Sequence, residues 1–235
     1  MKYQSRAIAL NYIKHKESAI IAKLYTEEKG LQSFIVKGVR SKKTKKGLGL
    51  FQALQLVNIN ATYLSKNNLQ YLGEIGLADL QLSKGIDMNK NFIALFIAEV
   101  MTKILQENEV DKVLFQYIWD LKIELNNSTE LAANFPLHFL LNLSKILGFN
   151  PSEENLRGQY FNLETAEFTD KSSSLIHFMN AENTNYLKLL LEQKEIDIPY
   201  INRSIILAQL IDYYKFHHHE LKNLTTHLII ESLRS

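Results

Sequence analysis

The 235-residue sequence contains no cysteine, which excludes disulfide bonds, thiol catalysis, iron–sulfur clusters and thiolate zinc sites. Only three prolines and nine glycines occur, and this scarcity of helix and strand breakers favours long regular elements over linkers. No stretch approaches the roughly 20 apolar residues that a membrane-spanning helix needs. The N-terminal segment also lacks the apolar core of a secretory signal, so we expect a cytoplasmic protein.

Charge is distributed unevenly along the chain. The net charge of +2 conceals an excess of +8 over residues 1–80, where 13 Lys and Arg face five Asp and Glu. Residues 81–235 carry 14 basic and 20 acidic groups, a net of −6. A basic segment attracts polyanions such as nucleic acid, whereas an acidic segment repels them. The sequence therefore predicts two domains, residues 1–80 and residues 81–235, with different partners.

Residues 1–80 have the pattern of an all-β domain. Runs rich in Val, Ile, Tyr, Phe and Thr alternate with turn signals, which predicts five strands. Five short antiparallel strands within about 80 residues suit a small closed barrel such as the OB-fold. The pattern alone leaves an SH3-like barrel open. The predicted strands are residues 6–13, 19–26, 31–37, 53–63 and 69–77.

After Leu80 the apolar period changes from two to 3.6, which indicates helices. Pro136 suits the first turn of one helix, and a polar insert over about residues 149–175 contains a short hairpin. The helix at 92–105 is apolar on nearly all sides, so we expect it at the centre of a bundle. The predicted fold class is α+β, with a five-stranded OB-fold barrel followed by an all-helical domain. Its other helices are predicted near residues 110–125, 137–147, 182–193, 203–216 and 224–233.

The densest positive charge lies in residues 37–46, where six of ten residues are cationic and none is acidic. Such a run is ordinarily a solvated loop, but on a basic barrel we favour phosphate contacts, since lysine is a mobile point charge. The expected contacts are Lys37, Arg40, Lys42, Lys43, Lys45 and Lys46, extended by Lys14, Lys16 and Arg6 near the first strand.

Aromatic residues of the same domain offer stacking surfaces for bases, as they do on single-strand-binding barrels. Most of them suit the core better. Tyr12, Tyr25 and Tyr63 lie near predicted strand ends and are the stronger stacking candidates.

No enzyme motif is found in the sequence. It contains neither a Gly-Lys-Ser/Thr phosphate loop nor Gly-x-Gly-x-x-Gly nor Gly-x-Ser-x-Gly. His217, His218 and His219 suggest a metal site, but consecutive helical residues point about 100° apart, and a zinc helix spaces its ligands at i and i+4. A solvated helix end is the favoured interpretation, and we expect no catalytic residues, metal or cofactor.

The N-terminal domain contains a string of short motifs: Ala-Ile-Ala-Leu ending at Leu10, Lys-Glu-Ser ending at Ser18, Tyr-Thr-Glu-Glu-Lys-Gly-Leu ending at Leu31, and Val-Lys-Gly-Val-Arg ending at Arg40. This string resembles the RecO family of bacterial recombination mediators, which opens with F-T-x-x-x-G-L and A-K-G-x-R signatures and a basic loop. Weaker similarity continues in the expected order through Phe135, Tyr160 and Arg203.

The resemblance implies an OB-fold, a helical domain and no catalytic residues. It implies binding of single- and double-stranded DNA through the basic residues of the run at 37–46 named above, annealing of complementary strands, and action with RecR to load RecA onto DNA coated by the single-stranded-DNA-binding protein. We expect the helical domain to bind the acidic C-terminal tail of that protein. Many members carry four zinc-finger cysteines where this chain has residues 150–174 and no cysteine, so this insert is expected to form without metal.

Two other functions remain open at this point. An RNA-binding barrel protein in translation or ribosome assembly fits the charge equally well, and only the motif string favours DNA. A metal hydrolase using His217, His218 and His219 is the third alternative.

Overall fold

A computed structural model of the protein describes residues 1–39, 47–78, 87–128, 133–152, 156–170, 177–194, 196–218 and 224–228. The chain forms two compact units, Met1–Thr129 and Glu130–Ser235. The predicted α+β class is confirmed, since a five-stranded barrel precedes a helical region that carries a small three-stranded sheet. The first unit extends beyond the barrel to include two helices.

The barrel consists of β1 (Lys2–His15), β2 (Ala19–Thr26), β3 (Gly30–Val36), β4 (Leu56–Thr62) and β5 (Leu69–Leu77). The strand order is β1-β2-β3-β5-β4, and β4 pairs back with β1 to close the barrel. Only the β3–β5 pair is parallel. Strand β1 is longer than predicted because a bulge between Ala9 and Asn11 bends it, so that one strand pairs with both β2 and β4.

Alternation along the strands fills the barrel interior. On β4, Val57 and Ile59 are buried while Asn58 between them is exposed. A 3-10 turn (Leu48–Phe51) precedes β4 and buries Phe51 in the same core. Residue Leu54 has a φ of +55°, so β4 begins later than the apolar pattern predicted.

Two helices complete the first unit, α1 (Met88–Ile104) and α2 (Lys112–Asn127). Both begin at aspartates whose carboxylates accept hydrogen bonds from first-turn N–H groups, Asp87 from Asn89 and Asp111 from Leu114. The expectation that α1 lies at the centre of a helical bundle was wrong. It packs against β1 of the barrel and against α2, and this double contact explains why it is apolar on several sides.

The loop between α1 and α2 docks onto the turn between β2 and β3. The Asn108 N–H donates to the Leu31 carbonyl over 3.2 Å, and Glu107 forms a parallel bridge with Leu31. The turn contains Gly30, whose φ is +65°. A Cβ added there would lie 2.6 Å from the carbonyl carbon of Glu109 and would overlap its oxygen. Glycine is required at this position because of its positive φ and, independently, because the Glu109 carbonyl leaves no room for a Cβ.

The second unit contains α3 (Phe135–Ile146), a three-stranded sheet, α4 (Ala181–Leu191) and α5 (Tyr200–His217). Pro136 lies in the first turn of α3, where its missing N–H costs nothing. The sheet order is β7-β6-β8, with β6 at Tyr160–Asn162, β7 at Glu167–Thr169 and β8 at Phe178–Met179. Strands β6 and β7 form the predicted hairpin, and β8 lies beyond the predicted insert. Half of the helix predicted at 224–233, residues 229–233, lies outside the described residues.

Aromatic packing holds the small sheet on α5. The Phe161 ring lies 4.9 Å from Phe168 and 5.7 Å from Tyr213, measured between ring centroids. The Tyr213 hydroxyl donates to the carbonyl of Phe149. Apolar burial therefore stabilises an insert that has no cysteine. Among the helices of the described ranges, none is both long and apolar enough to span a bilayer.

Candidate nucleic-acid interface

Three of the expected phosphate-contacting residues lie at one end of the barrel. The strand register places Lys14 opposite Ile20, and Ile20 opposite Val36. Lys37 follows Val36 directly, and Lys16 lies in the turn between β1 and β2. With strands spaced about 4.8 Å apart, the Cα atoms of Lys14 and Val36 are roughly 10 Å apart. We call Lys14, Lys16 and Lys37 the lysine cluster.

The amino groups of the lysine cluster are accessible. All three residues are exposed. Within the described part of the chain, none of them has a carboxylate within ion-pair distance. An external phosphate can therefore meet these charges without first displacing an internal partner.

The remaining residues of the basic run, Arg40, Lys42, Lys43, Lys45 and Lys46, lie outside the described residues. The segments on either side of them are fixed to the barrel, because Val39 and Phe51 are both buried in its core. The run therefore begins within the lysine cluster, at Lys37.

Arg6 lies far from the lysine cluster. Lys14 lies eight positions further along β1, which corresponds to at most about 27 Å of extended strand. The Arg6 guanidinium donates two hydrogen bonds to Glu27, over 2.8 and 2.7 Å, and one to Gln116 of α2 over 2.9 Å. Arg6 therefore joins the barrel to α2, and we leave it out of the proposed contact set.

Ring contacts reinforce this role of Arg6. The guanidinium carbon lies 4.9 Å from the Trp119 ring centroid and 5.4 Å from that of Phe115. The hydrogen bonds from Arg6 lower the pKa of the Glu27 carboxyl, and the same bonds raise the pKa of Arg6. Nothing near Arg6 in the sequence indicated these contacts, because Glu27 is 21 residues away and Gln116 is 110 residues away.

The structure separates the aromatic candidates. Tyr25 is 1% exposed and its hydroxyl donates to the Asp111 carbonyl, so it is not a stacking surface. Tyr12 packs against the barrel core. The Tyr63 ring has the ammonium of Lys29 at 5.5 Å. Tyr71, which the sequence analysis did not single out, is 52% exposed in β5.

The side of the barrel formed by β1, β4 and β5 has the opposite electrostatic character. A groove of 860 Å³ on this side is lined by Glu27, Glu28 and Glu74 and by the amides of Gln4 and Asn60, among others. The guanidinium in the same groove is already bonded to Glu27. This groove is therefore unsuited to phosphate.

Comparison with known proteins identifies the family. Residues 1–80 match the sequence profile described as Recombination protein O N terminal, and residues 86–222 match Recombination protein O C terminal. The chain belongs to the RecO family. RecO proteins are non-enzymatic recombination mediators that act in DNA repair and recombination, and the barrel found here is their OB-like domain.

Curated RecO relatives align along nearly the whole chain. The DNA repair protein RecO of Flavobacterium psychrophilum is 30% identical over 224 residues, which cover 92% of each chain. That of Christiangramia forsetii is 31% identical over 223 residues, again 92% of each chain. That of Bacteroides fragilis is 30% identical over 224 residues, 92% of this chain and 93% of the relative.

The zinc finger that many RecO proteins carry does not fit this chain, because residues 150–174 contain no cysteine. The histidine run does not replace it in the described residues. His217 Nε2 lies 3.0 Å from the Leu163 carbonyl, and its ring lies 4.4 Å from that of Tyr213. The part of the chain that the structure describes holds no group of three His, Asp or Glu residues that could bind a metal ion.

Proposed function

We propose that this RecO protein binds single- and double-stranded DNA through the lysine cluster and the adjoining basic run, and anneals complementary strands without a nucleotide cofactor. In the cytoplasm, at the nucleoid, it acts with RecR to load RecA onto DNA coated by the single-stranded-DNA-binding protein. The observation that carries the proposal is the lysine cluster: Lys14, Lys16 and Lys37 are exposed, lack carboxylate partners in the described chain, and lie where the basic run begins.

Annealing needs charge neutralisation rather than bond chemistry. Two strands repel each other through their phosphates, and a cationic surface that contacts both lowers this cost as counterions are released. Lysine suits this role because it meets phosphates as a mobile point charge and reads no sequence. A protein that anneals any pair of complementary strands needs this lack of sequence preference.

Residues 81–235, with a net charge of −6, are unsuited to DNA, and we propose that they contact protein partners. The acidic tail of the single-stranded-DNA-binding protein is the partner that we expect. Arg203, a basic residue at the start of α5, donates to the Ile198 carbonyl over 2.7 Å.

The proposal is tested by replacing Lys14, Lys16 and Lys37 together with Ala. The affinity for a single-stranded oligonucleotide, measured by fluorescence anisotropy over a salt series, should fall. The slope of log K against log[salt] should become shallower by about 2, at roughly 0.7 per lost phosphate contact. Strand annealing, followed with complementary fluorescent oligonucleotides, should slow in parallel and should need no ATP.

A matched control replaces Lys112, Lys194 and Lys215 with Ala. Each of these lysines already has a carboxylate partner, so the salt slope should stay as in the wild type although the same net charge is lost. Equal effects of the two triple variants would contradict a localised interface. Competition between DNA and RNA oligonucleotides of matched sequence excludes the translation alternative if DNA is bound at least as tightly, because proteins that read the 2′-hydroxyl prefer RNA.

A further inference from the structure

A row of outward-facing apolar residues crosses four strands of the barrel. Ile13 lies opposite Ile21, Ile21 opposite Ile35, and Ile35 opposite Tyr71. Ile13 is 62% exposed and Tyr71 is 52% exposed, while the two central isoleucines are half-buried. At about 4.8 Å per strand, this apolar row is roughly 14 Å long.

The same outer face is covered elsewhere, which makes the apolar row unusual. A parallel row of residues crosses β2 at Tyr25, four residues after Ile21. This row joins Ile8, Tyr25 and Leu31, and all three are fully buried. There the Tyr25 ring packs 5.5 Å from Phe115 of α2. The helices therefore cover one half of this face and leave the apolar row open to solvent.

Cations flank the apolar row along both central strands. Lys23 follows Ile21 by two residues on β2, and Lys37 follows Ile35 by two residues after β3. Because side chains alternate along a strand, each of these lysines lies on the same face as the isoleucine that it follows. An apolar centre with positive edges matches a single nucleic-acid strand, which presents flat bases and a phosphate backbone.

We propose that the apolar row binds the unpaired bases of a single nucleic-acid strand, with Tyr71 stacking on one base and the flanking lysines meeting its phosphates. This inference rests on the proposed DNA-binding function and adds to it the surface that holds the bases. A row of about 14 Å accommodates two or three bases, as on other sheet surfaces that bind single strands. Every base has a π-face, so the contact is independent of sequence.

This mode of binding suits annealing. Stacking uses the face of a base and leaves its Watson–Crick edge free. A strand held on the apolar row can therefore pair with its complement, while the lysines reduce the repulsion between the two backbones.

The test replaces Tyr71 with Ala or with Phe and uses three probes: a single-stranded oligonucleotide, a duplex, and an abasic oligomer that keeps the phosphodiester chain without bases. Loss of one aromatic stacking contact should weaken single-strand binding about fivefold or more. Tyr71→Phe should bind almost as the wild type does. Duplex and abasic binding should not change in Tyr71→Ala, because neither probe offers an unpaired base.

Two further readouts separate this role from others. Val113→Ala, which removes a 71% exposed apolar side chain from α2, should bind all three probes as the wild type does. The salt slope of Tyr71→Ala should match the wild type, in contrast to the triple lysine variant.

The inference is overturned if Tyr71→Ala binds the single-stranded oligonucleotide as tightly as the wild type does. The same holds if Tyr71→Ala loses only binding to a protein partner. Either result leaves the proposed function standing. An equal loss on the abasic oligomer would also overturn the inference. Failure of the proposed function is recognised separately, by a wild-type protein that binds none of the three probes.

Discussion

Replacement of Gly30 by Ala should destabilise the first unit more than replacement of any other glycine that merely has a positive φ. Gly30 lies in the turn between β2 and β3, and the loop between α1 and α2 docks directly on it. An added Cβ would overlap the backbone carbonyl of Glu109. A backbone carbonyl cannot rotate away as a side chain can, so the docked loop must move.

The magnitude follows from comparing glycines. Gly38 has a φ of +73°, but no atom of the described residues lies within 4 Å of an added Cβ. Gly38→Ala therefore carries only the cost of the left-handed conformation, about 1 kcal/mol. Gly30→Ala adds an overlap of the kind that costs about 1–3 kcal/mol in packed sites. The expected loss is therefore roughly 2–4 kcal/mol. Gly47, with a φ of −67° and no atom of the described chain within 4 Å of an added Cβ, is the neutral control.

Urea unfolding followed by tryptophan fluorescence measures this loss of stability in the first structural unit. Trp119 is the only tryptophan in the chain, and it is 4% exposed in α2, where its ring lies 5.7 Å from Phe115. Its emission therefore reports on the first unit. If Gly30→Ala lowers the free energy of unfolding no more than Gly38→Ala does, the docking of the loop on the turn is not as described.

Three further substitutions test particular interactions. Glu27→Gln should cost about 1 kcal/mol or less at pH 7, because the partner Arg6 side chain is 35% exposed and the pair is screened. Folding lowers the pKa of Glu27, so this stability is present above the carboxyl's ordinary pKa and is lost as the pH falls through the lowered value. The urea midpoints of variant and wild type should therefore converge in acid. Burial lowers the pKa of Lys122 from 10.5 to about 8. Between pH 8 and 10.5 the unfolded chain therefore binds one more proton than the folded protein at this lysine, and the stability of the wild type should rise with pH. Lys122→Met should be more stable than the wild type at pH 7, and its urea midpoints from pH 7 to 10.5 should lack that rise. Tyr213→Phe leaves the Phe149 carbonyl without its donor and should cost about 1–3 kcal/mol in the second unit, measured by circular dichroism.

The sequence was informative wherever local chemistry determines local structure. The strands at 19–26 and 69–77 were predicted with their observed ends, because apolar alternation stops there at turn residues. Pro136 marked the start of α3 for a similar reason. The family resemblance depended on such local features, above all the motif around Gly30, which the structure explains by a positive φ and a close backbone approach.

What the sequence did not show depends on contacts between distant residues. Periodicity identified α1 as apolar on several sides but could not distinguish a bundle from a helix between a barrel and α2. The bulge in β1 leaves no composition signal. The burial of Tyr25 depends on the packing of α2 against it, so its position near a strand end could not show that it is covered.

Arg6 shows why a count of charges is an incomplete guide to an interface. It belongs to the segment whose excess of +8 predicted nucleic-acid binding, yet its charge is neutralised by Glu27 inside the first unit. Phosphate affinity comes from cations that lack internal partners, because a paired cation must lose its carboxylate before it gains a phosphate. By this criterion the net charge overestimates the phosphate affinity of the side formed by β1, β4 and β5. It underestimates the phosphate affinity of the end with Lys14, Lys16 and Lys37. The positions of the carboxylates, more than the number of lysines, therefore determine where a strand can bind on this barrel.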